Sequence, residues 1–182
     1  MAKIQSDGAG STMAAASLLH GGAGTFAQDV AARETHLLHL SRELLGGDKK
    51  VKVPLNSRME VHSAIVGGAL KYSALIVLIS GFKTLPEGDV VNVLGISGRT
   101  LRRQRETPTK PMPADLASKT WLFAETLAKA SEVFGGREQA EAWMNRPAVG
   151  LDGQRPIEML QTVQGTELVN DFLTRLEYNV YS

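Results

Sequence analysis

Leu94-Gly95-Ile96-Ser97-Gly98-Arg99-Thr100-Leu101-Arg102-Arg103 holds a helix end, a turn and a helix start within ten residues. Gly95 falls where a tight turn between helices needs a residue free to adopt positive φ. Ile96 is apolar and faces the core. Ser97 is suited to cap the second helix by accepting a backbone N–H. Facing on that helix follows from about 100° per residue. With Leu101 at the core, Arg99 and Arg103 point nearly opposite, Thr100 and Arg102 flank them, and Arg105 falls toward the rim. Outward arginines are suited to guanine O6 and N7 in a major groove, and flanking ones to phosphates. Gly98 near the helix start lets a backbone approach closely. The stretch therefore predicts a helix-turn-helix, with Ser97, Gly98, Arg99, Thr100, Arg102 and Arg103 as the DNA-binding candidates. The alternative is an arginine-rich solvated face on a helix pair kept as a scaffold or dimerisation module.

Working outward, everything from Arg58 on reads as helix, over roughly 58–67, 69–80, 86–94, 97–106, 114–134, 137–145, 155–162 and 165–178. Glycines and prolines punctuate these segments, and no alternation long enough for a strand interrupts them. Short connections imply a compact all-α bundle. Thr107 to Pro113, with three prolines, is the expected joint between two lobes. The expected division is 1–57 as a flexible N-terminal region with one helix, 58–113 as the helix-turn-helix domain, and 114–182 as a small helical partner-binding domain. Within the first segment, residues up to about 25 are rich in Gly, Ala and Ser and read as flexible. Residues 27–46 read as a helix stopped by Gly46-Gly47, and 48–57 as a linker or short extended piece.

The chain has 182 residues, 43% apolar and 21% charged, with a net charge of +1, so any nucleic-acid contact must come from a local patch. It has no cysteine, which excludes disulfides and thiolate zinc sites and is compatible with the cytoplasm. The longest apolar run, Ala74 to Ile79, is far shorter than a membrane span, so no membrane association is expected. Gly22-Ala23-Gly24 has no preceding strand and is no dinucleotide fingerprint. His36, His39 and Glu43 fit a packed or solvated helix better than a metal site. No nucleophile elbow is present. Neither catalysis, a cofactor nor a metal is expected.

The C-terminal third carries the second signal. Leu168, Val169, Phe172, Leu173 and Leu176 fall on one helical stripe. Pro156 suits a first helical turn. Gly165 reads as the break between two helices, and Trp143 as a packing anchor between its helix and the loop at 146–153. Beyond Arg137 the acids Glu138, Glu141, Asp152, Glu158, Glu167, Asp171 and Glu177 outnumber the bases. Such a lobe suits a protein partner with a basic cleft better than DNA.

Phe134-Gly135, Ala140 with Trp143, Leu151-Asp152-Gly153, Pro156, Leu160 with Thr162, Gly165, Arg175-Leu176-Glu177 and Val180-Tyr181 follow one another in the order and spacing of a known pattern. The region resembles the C-terminal toxin-binding domain of the Xre/MbcA/ParS antitoxins, and the resemblance extends upstream to about residue 61. Asp152 and Asn179 stand where that pattern has glycine. The resemblance implies a type II antitoxin whose C-terminal domain neutralises a cognate toxin, commonly a RES-domain enzyme that degrades NAD. It also implies a helix-turn-helix that represses the shared operon. Operator reading through two half-sites implies a homodimer, assembling with toxin into a larger complex. The candidate toxin-binding residues are Arg175, Glu177, Tyr178, Asn179, Val180, Tyr181 and Ser182. The terminal segment either enters the partner's pocket or packs back through Tyr181 on Trp143 or Phe172. The other functional reading is a stand-alone helix-turn-helix regulator whose C-terminal lobe only dimerises.

Overall fold

The structure, a computed structural model, describes residues 12–178 except 53 and 55, with backbone alone for 12–26. The chain divides into two units between His36 and Leu37. Among the described residues no strand forms, only one isolated antiparallel bridge between Lys71 and Pro111.

The first helix, α1, spans Thr12–Leu44. It begins where the sequence reading expected flexible chain up to about residue 25. Met13 to Leu19 are mostly good helix formers, and the helix runs on through Gly21, Gly22 and Gly24 although each glycine there is unfavourable by about 1 kcal/mol. Gly46 at φ +98° ends the element. Only the start of the segment expected as a linker or short extended piece, 48–57, is docked. A turn of helix, α2, covers Gly47–Lys50, and Val51 behind it is fully buried. Arg42 holds this corner, donating to the Val51 carbonyl at 3.1 and 2.8 Å and pairing with Asp48.

Four helices follow, α3 Arg58–Val66, α4 Tyr72–Ser80, α5 Glu87–Leu94 and α6 Gly98–Glu106. Residues 69–71 are extended rather than the expected first turn of α4. They pair with the proline-rich segment, where Met112 N–H donates to the Leu70 carbonyl at 2.9 Å and Tyr72 N–H to that of Lys110 at 3.0 Å. Thr107 to Pro113 is therefore stitched to the start of α4 and is not a free joint. Proline costs nothing there, because its carbonyl still accepts: Ser73 N–H reaches that of Pro108 at 2.7 Å.

The longest helix of the second unit, α7 (Ala114–Phe134), is the axis around which that unit is built. Leu116, Ala117, Trp121, Phe123, Ala124, Leu127 and Ala130 on successive faces are buried, so neighbours cover it nearly all round. It packs against α3, α5, α8 (Arg137–Met144) and α10 (Val163–Glu177), with the short α9 (Pro156–Met159) between α5 and α10. One continuous core runs from Leu38 through Leu75, Leu94, Leu101, Leu127 and Ile157 to Leu173, crossing residue 113 without a break.

The end of the chain differs in register from the expectation. α9 is one turn rather than an element over 155–162. α10 begins at Val163, capped by Thr162, whose hydroxyl accepts from Gly165 N–H at 3.0 Å. Gly165 lies inside α10. The carbonyl oxygen of Met159 would be 2.0 Å from a Cβ there, so close approach is what demands glycine. Leu168 is 52% exposed and drops out of the expected stripe, while Val169, Phe172 and Leu173 are buried.

Candidate functional site

The first candidate surface is the outer face of α6. Its local fold follows the residue reading closely. Gly95 takes φ +68° at the end of α5, and Ser97 caps α6 by accepting from Thr100 N–H at 3.0 Å. Its hydroxyl also meets that of Thr100 at 2.9 Å. Leu101 is fully buried and Gln104 nearly so. Burying Leu101 contributes about 2 kcal/mol and fixes the rotation of the helix. Arg99, Arg102 and Arg103 are accordingly exposed with Ser97 and Gly98, and Thr100 is half-buried. Arg105 turns back to an ion pair with Glu87 of α5 at 2.7 Å. A Cβ on Gly98 would meet nothing within 4 Å, so the fold itself does not require glycine there.

The second candidate surface is the C-terminal end of α10. Arg175, Glu177 and Tyr178 are exposed, and Tyr178 N–H closes the helix on the Thr174 carbonyl at 3.1 Å. Asn179, Val180, Tyr181 and Ser182, named with them, lie outside the described residues. Behind this end, Lys129 of α7 donates to the Asn170 carbonyl at 3.1 Å and to the Thr174 hydroxyl at 2.5 Å. Burial lowers its ammonium below the ordinary lysine range, against the pull of Glu177, Asp171 and Glu125.

An aromatic stack supports the lobe. Trp143 lies 4.8 Å from Phe134 and stacks parallel on Phe172 at 6.0 Å. Phe172 in turn fills the space beside Gly150, where a Cβ would lie 1.9 Å from its Cε2. Trp143 thus spans α7, α8 and α10, and the loop at 146–153 rests on Phe172. Asp152 adopts φ +51° and Gly153 φ +74°, a left-handed pair that Asp tolerates better than most residues.

The acidic surface expected from composition is smaller than the sequence suggested. Glu141 is fully buried, because its carboxylate anchors the loop between α4 and α5. It accepts from Lys83 N–H at 2.7 Å, Thr84 N–H at 2.9 Å and Arg137 Nε at 3.0 Å. Burial pushes its carboxyl up. The Thr84 and Lys83 N–H groups and the Arg137 guanidinium outweigh that and hold it below the ordinary carboxylate value. Glu138 pairs with Lys83 and Glu158 with Arg155. Asp152, Glu167 and Asp171 remain exposed.

Sequence reasoning missed the pairs that join the helices before residue 113 to those after it. Arg155 donates to Asp89 of α5 at 2.6 Å and also reaches Asn145. The side-chain bond to Asp89 is the main reason its guanidinium is held above the ordinary arginine value. Arg137 donates to the Leu78 carbonyl at 2.9 Å and covers the Phe82 ring at 5.0 Å. Arg58 of α3 is bidentate on Glu125 of α7, which also accepts from Trp121 Nε1 at 3.1 Å. No spacing rule links residues so far apart in sequence. The only signal was the presence of Glu125 and Glu141 at positions helical periodicity buries.

Among the described residues no helix is long and apolar enough to cross a membrane. Residues 129–178 match the family described as the antitoxin Xre/MbcA/ParS C-terminal toxin-binding domain. The chain is similar to proteins named Antitoxin Xre in three bacteria. One from Pseudomonas putida is 30% identical over 122 residues, 67% of this chain and 74% of the relative. One from Yersinia enterocolitica is 30% identical over 100 residues, 54% of this chain and 67% of the relative. One from Photorhabdus laumondii is 30% identical over 105 residues, 57% and 70% respectively.

Proposed function

Because the chain belongs to the Xre family of antitoxins, we propose that it neutralises a RES-type, NAD-degrading toxin through the C-terminal end of α10 and represses its own operon through α6. The match over 129–178 supports a toxin partner on the C-terminal lobe. Arg175, Glu177 and Tyr178 are exposed at the end of that lobe; on this reading the terminal residues Asn179 to Ser182 enter the toxin's active site.

The observation that carries the DNA-binding half is the division of labour on α6. Arg105 is committed to Glu87, whereas Arg99, Arg102 and Arg103 are exposed on a helix whose capped start leads with a glycine the fold does not need. A helix presented in this way fits a major groove, with Arg99 and Arg103 on bases and Arg102 on phosphate. Ser97, Gly98 and Thr100 lie at the end that approaches the backbone. The protein acts as a cytoplasmic homodimer on two half-sites.

Two experiments test this. Arg99→Ala with Arg103→Ala should abolish operator binding in a mobility-shift assay and leave toxin neutralisation intact; unchanged operator affinity would reject the groove assignment. Deleting Val180 to Ser182 should weaken neutralisation, followed as cellular NAD with the toxin co-expressed, and leave operator binding intact. Full neutralisation by the truncated chain would reject entry into the toxin's active site.

A further inference from the structure

A groove of about 350 Å³ opens between α7, α10 and the end of α5. Val93, Phe123 and Leu160 of its lining are buried, whereas Leu122 is 45% and Val163 66% exposed. Two aliphatic side chains left in water forgo the burial that the rest of α7 obtains. Apolar surface alone does not choose an occupant; the polar groups around it do. The Thr126 hydroxyl donates to the Leu122 carbonyl at 3.0 Å, and that of Thr166 to the Thr162 carbonyl at 2.9 Å. The Asn170 amide donates to Thr126 Oγ1 at 3.3 Å and to the Thr166 carbonyl at 3.0 Å. These donors are spent within the fold, and their acceptor sites are left over. The carboxylates of Glu167 and Asp171, on the same wall, are exposed and make no hydrogen bond or ion pair among the described residues. Lys119, the cation of the lining, is already paired with Asp115 at 3.1 Å. The groove therefore joins apolar surface to a surplus of acceptors and negative charge.

We propose that this groove seats an apolar side-chain cluster of the toxin that is flanked by lysine or arginine. Bases beside such a cluster meet Glu167 and Asp171, which stand one turn apart on α10. The cluster itself covers Leu122 and Val163, as an amphipathic segment fills an apolar groove. The same two carboxylates refuse a phosphate backbone, so nucleic acid is not the occupant. Position agrees with charge. Leu160 to Asp171 lie within the residues that match a toxin-binding family, and α10 leads on from them to exposed Arg175 and Tyr178. Val93, Leu122 and Phe123 lie before residue 129, outside that match. The toxin contact thus extends beyond the matched domain onto α5 and α7.

The groove's role rests on the toxin-binding reading above, and the two can fail separately. The full chain is titrated with the toxin encoded in its operon. Val163 is the first residue of α10, where a helix favours a carboxylate, so Val163→Glu should keep its urea midpoint. It should weaken toxin binding at least about tenfold. Glu167→Lys with Asp171→Lys should weaken binding as much and flatten its dependence on salt. The chain has no cysteine, so Leu122→Cys can carry a single benzophenone. Light should join it to a toxin segment whose apolar residues are flanked by bases. Unchanged affinity in Val163→Glu, with a loss on deleting Val180 to Ser182, overturns the groove and leaves the toxin-binding reading standing. A toxin that does not bind wild type overturns both. Full affinity after the charge reversal overturns the basic character of the occupant. Attachment of the benzophenone to a second copy of this chain overturns the toxin as occupant.

Discussion

Single side chains decide more of this fold than composition suggests, and Glu141 is the clearest instance. Its folded-state carboxyl lies below the ordinary value, with burial opposed by two backbone N–H groups and Arg137. A depressed carboxyl stabilises the fold fully above the unfolded-state value, and that stability is lost as pH falls through the folded-state value. Thermal stability of wild type should therefore fall as pH drops below about 4.5. Glu141→Gln should flatten this dependence at a cost of about 1–3 kcal/mol at neutral pH. Equal pH dependence in both proteins would refute the assignment. Gly150 and Gly165 give a second test of the same kind. Alanine at Gly150 pushes Phe172 off Trp143, costing about 1–3 kcal/mol. Alanine at Gly165 meets a backbone carbonyl, which cannot step aside as a ring can. Chemical denaturation should rank Gly165→Ala as the more damaging.

Among the elements, α5 and α6 were read almost residue for residue, because turn glycine, capping serine and buried leucine are local signals. The rotation they impose yields a direct comparison. Arg105→Ala removes a side chain tied to Glu87 and should change operator affinity little. Arg103→Ala should weaken it by about 1–3 kcal/mol if it reads a base. Similar losses from both would place the groove elsewhere. Ser97→Ala removes the cap and should cost about 1 kcal/mol of stability. The register at the other end was harder to read. A glycine can end a helix or admit a neighbouring chain, and only the carbonyl of Met159 above Gly165 distinguishes the two. Leu168 was misplaced because neighbouring positions on a helix share a broad stripe until a partner defines its edge. The helical start of α1 was missed because glycines read as flexibility when their alanine and leucine neighbours are discounted.

Across the whole molecule, the core passes from α3 and α5 through α7 into α8 and α10. Chain order suggested two lobes, since the proline-rich segment carries the composition of a joint. What it lacks is visible only in three dimensions: its backbone is hydrogen-bonded to residues 70–73. A fragment beginning at Ala114 would expose the sides of α7 that α3 and α5 cover. It should lose the cooperative unfolding transition of the full chain, as followed by circular dichroism in urea. A fragment melting as sharply as the intact protein would show that the C-terminal lobe is self-sufficient.

The bond between Arg155 and Asp89 has a consequence for inheritance. One partner belongs to the half proposed to read an operator, the other to the half that matches a toxin-binding family. A crossover between two related genes near residue 113 would give a hybrid in which each half meets a stranger's charges, and the Glu141 anchor would face a foreign loop. Such hybrids start at a disadvantage even when both parents fold well. Lineages of this architecture should therefore pass on the two halves together, and exchange them by transfer of the whole gene.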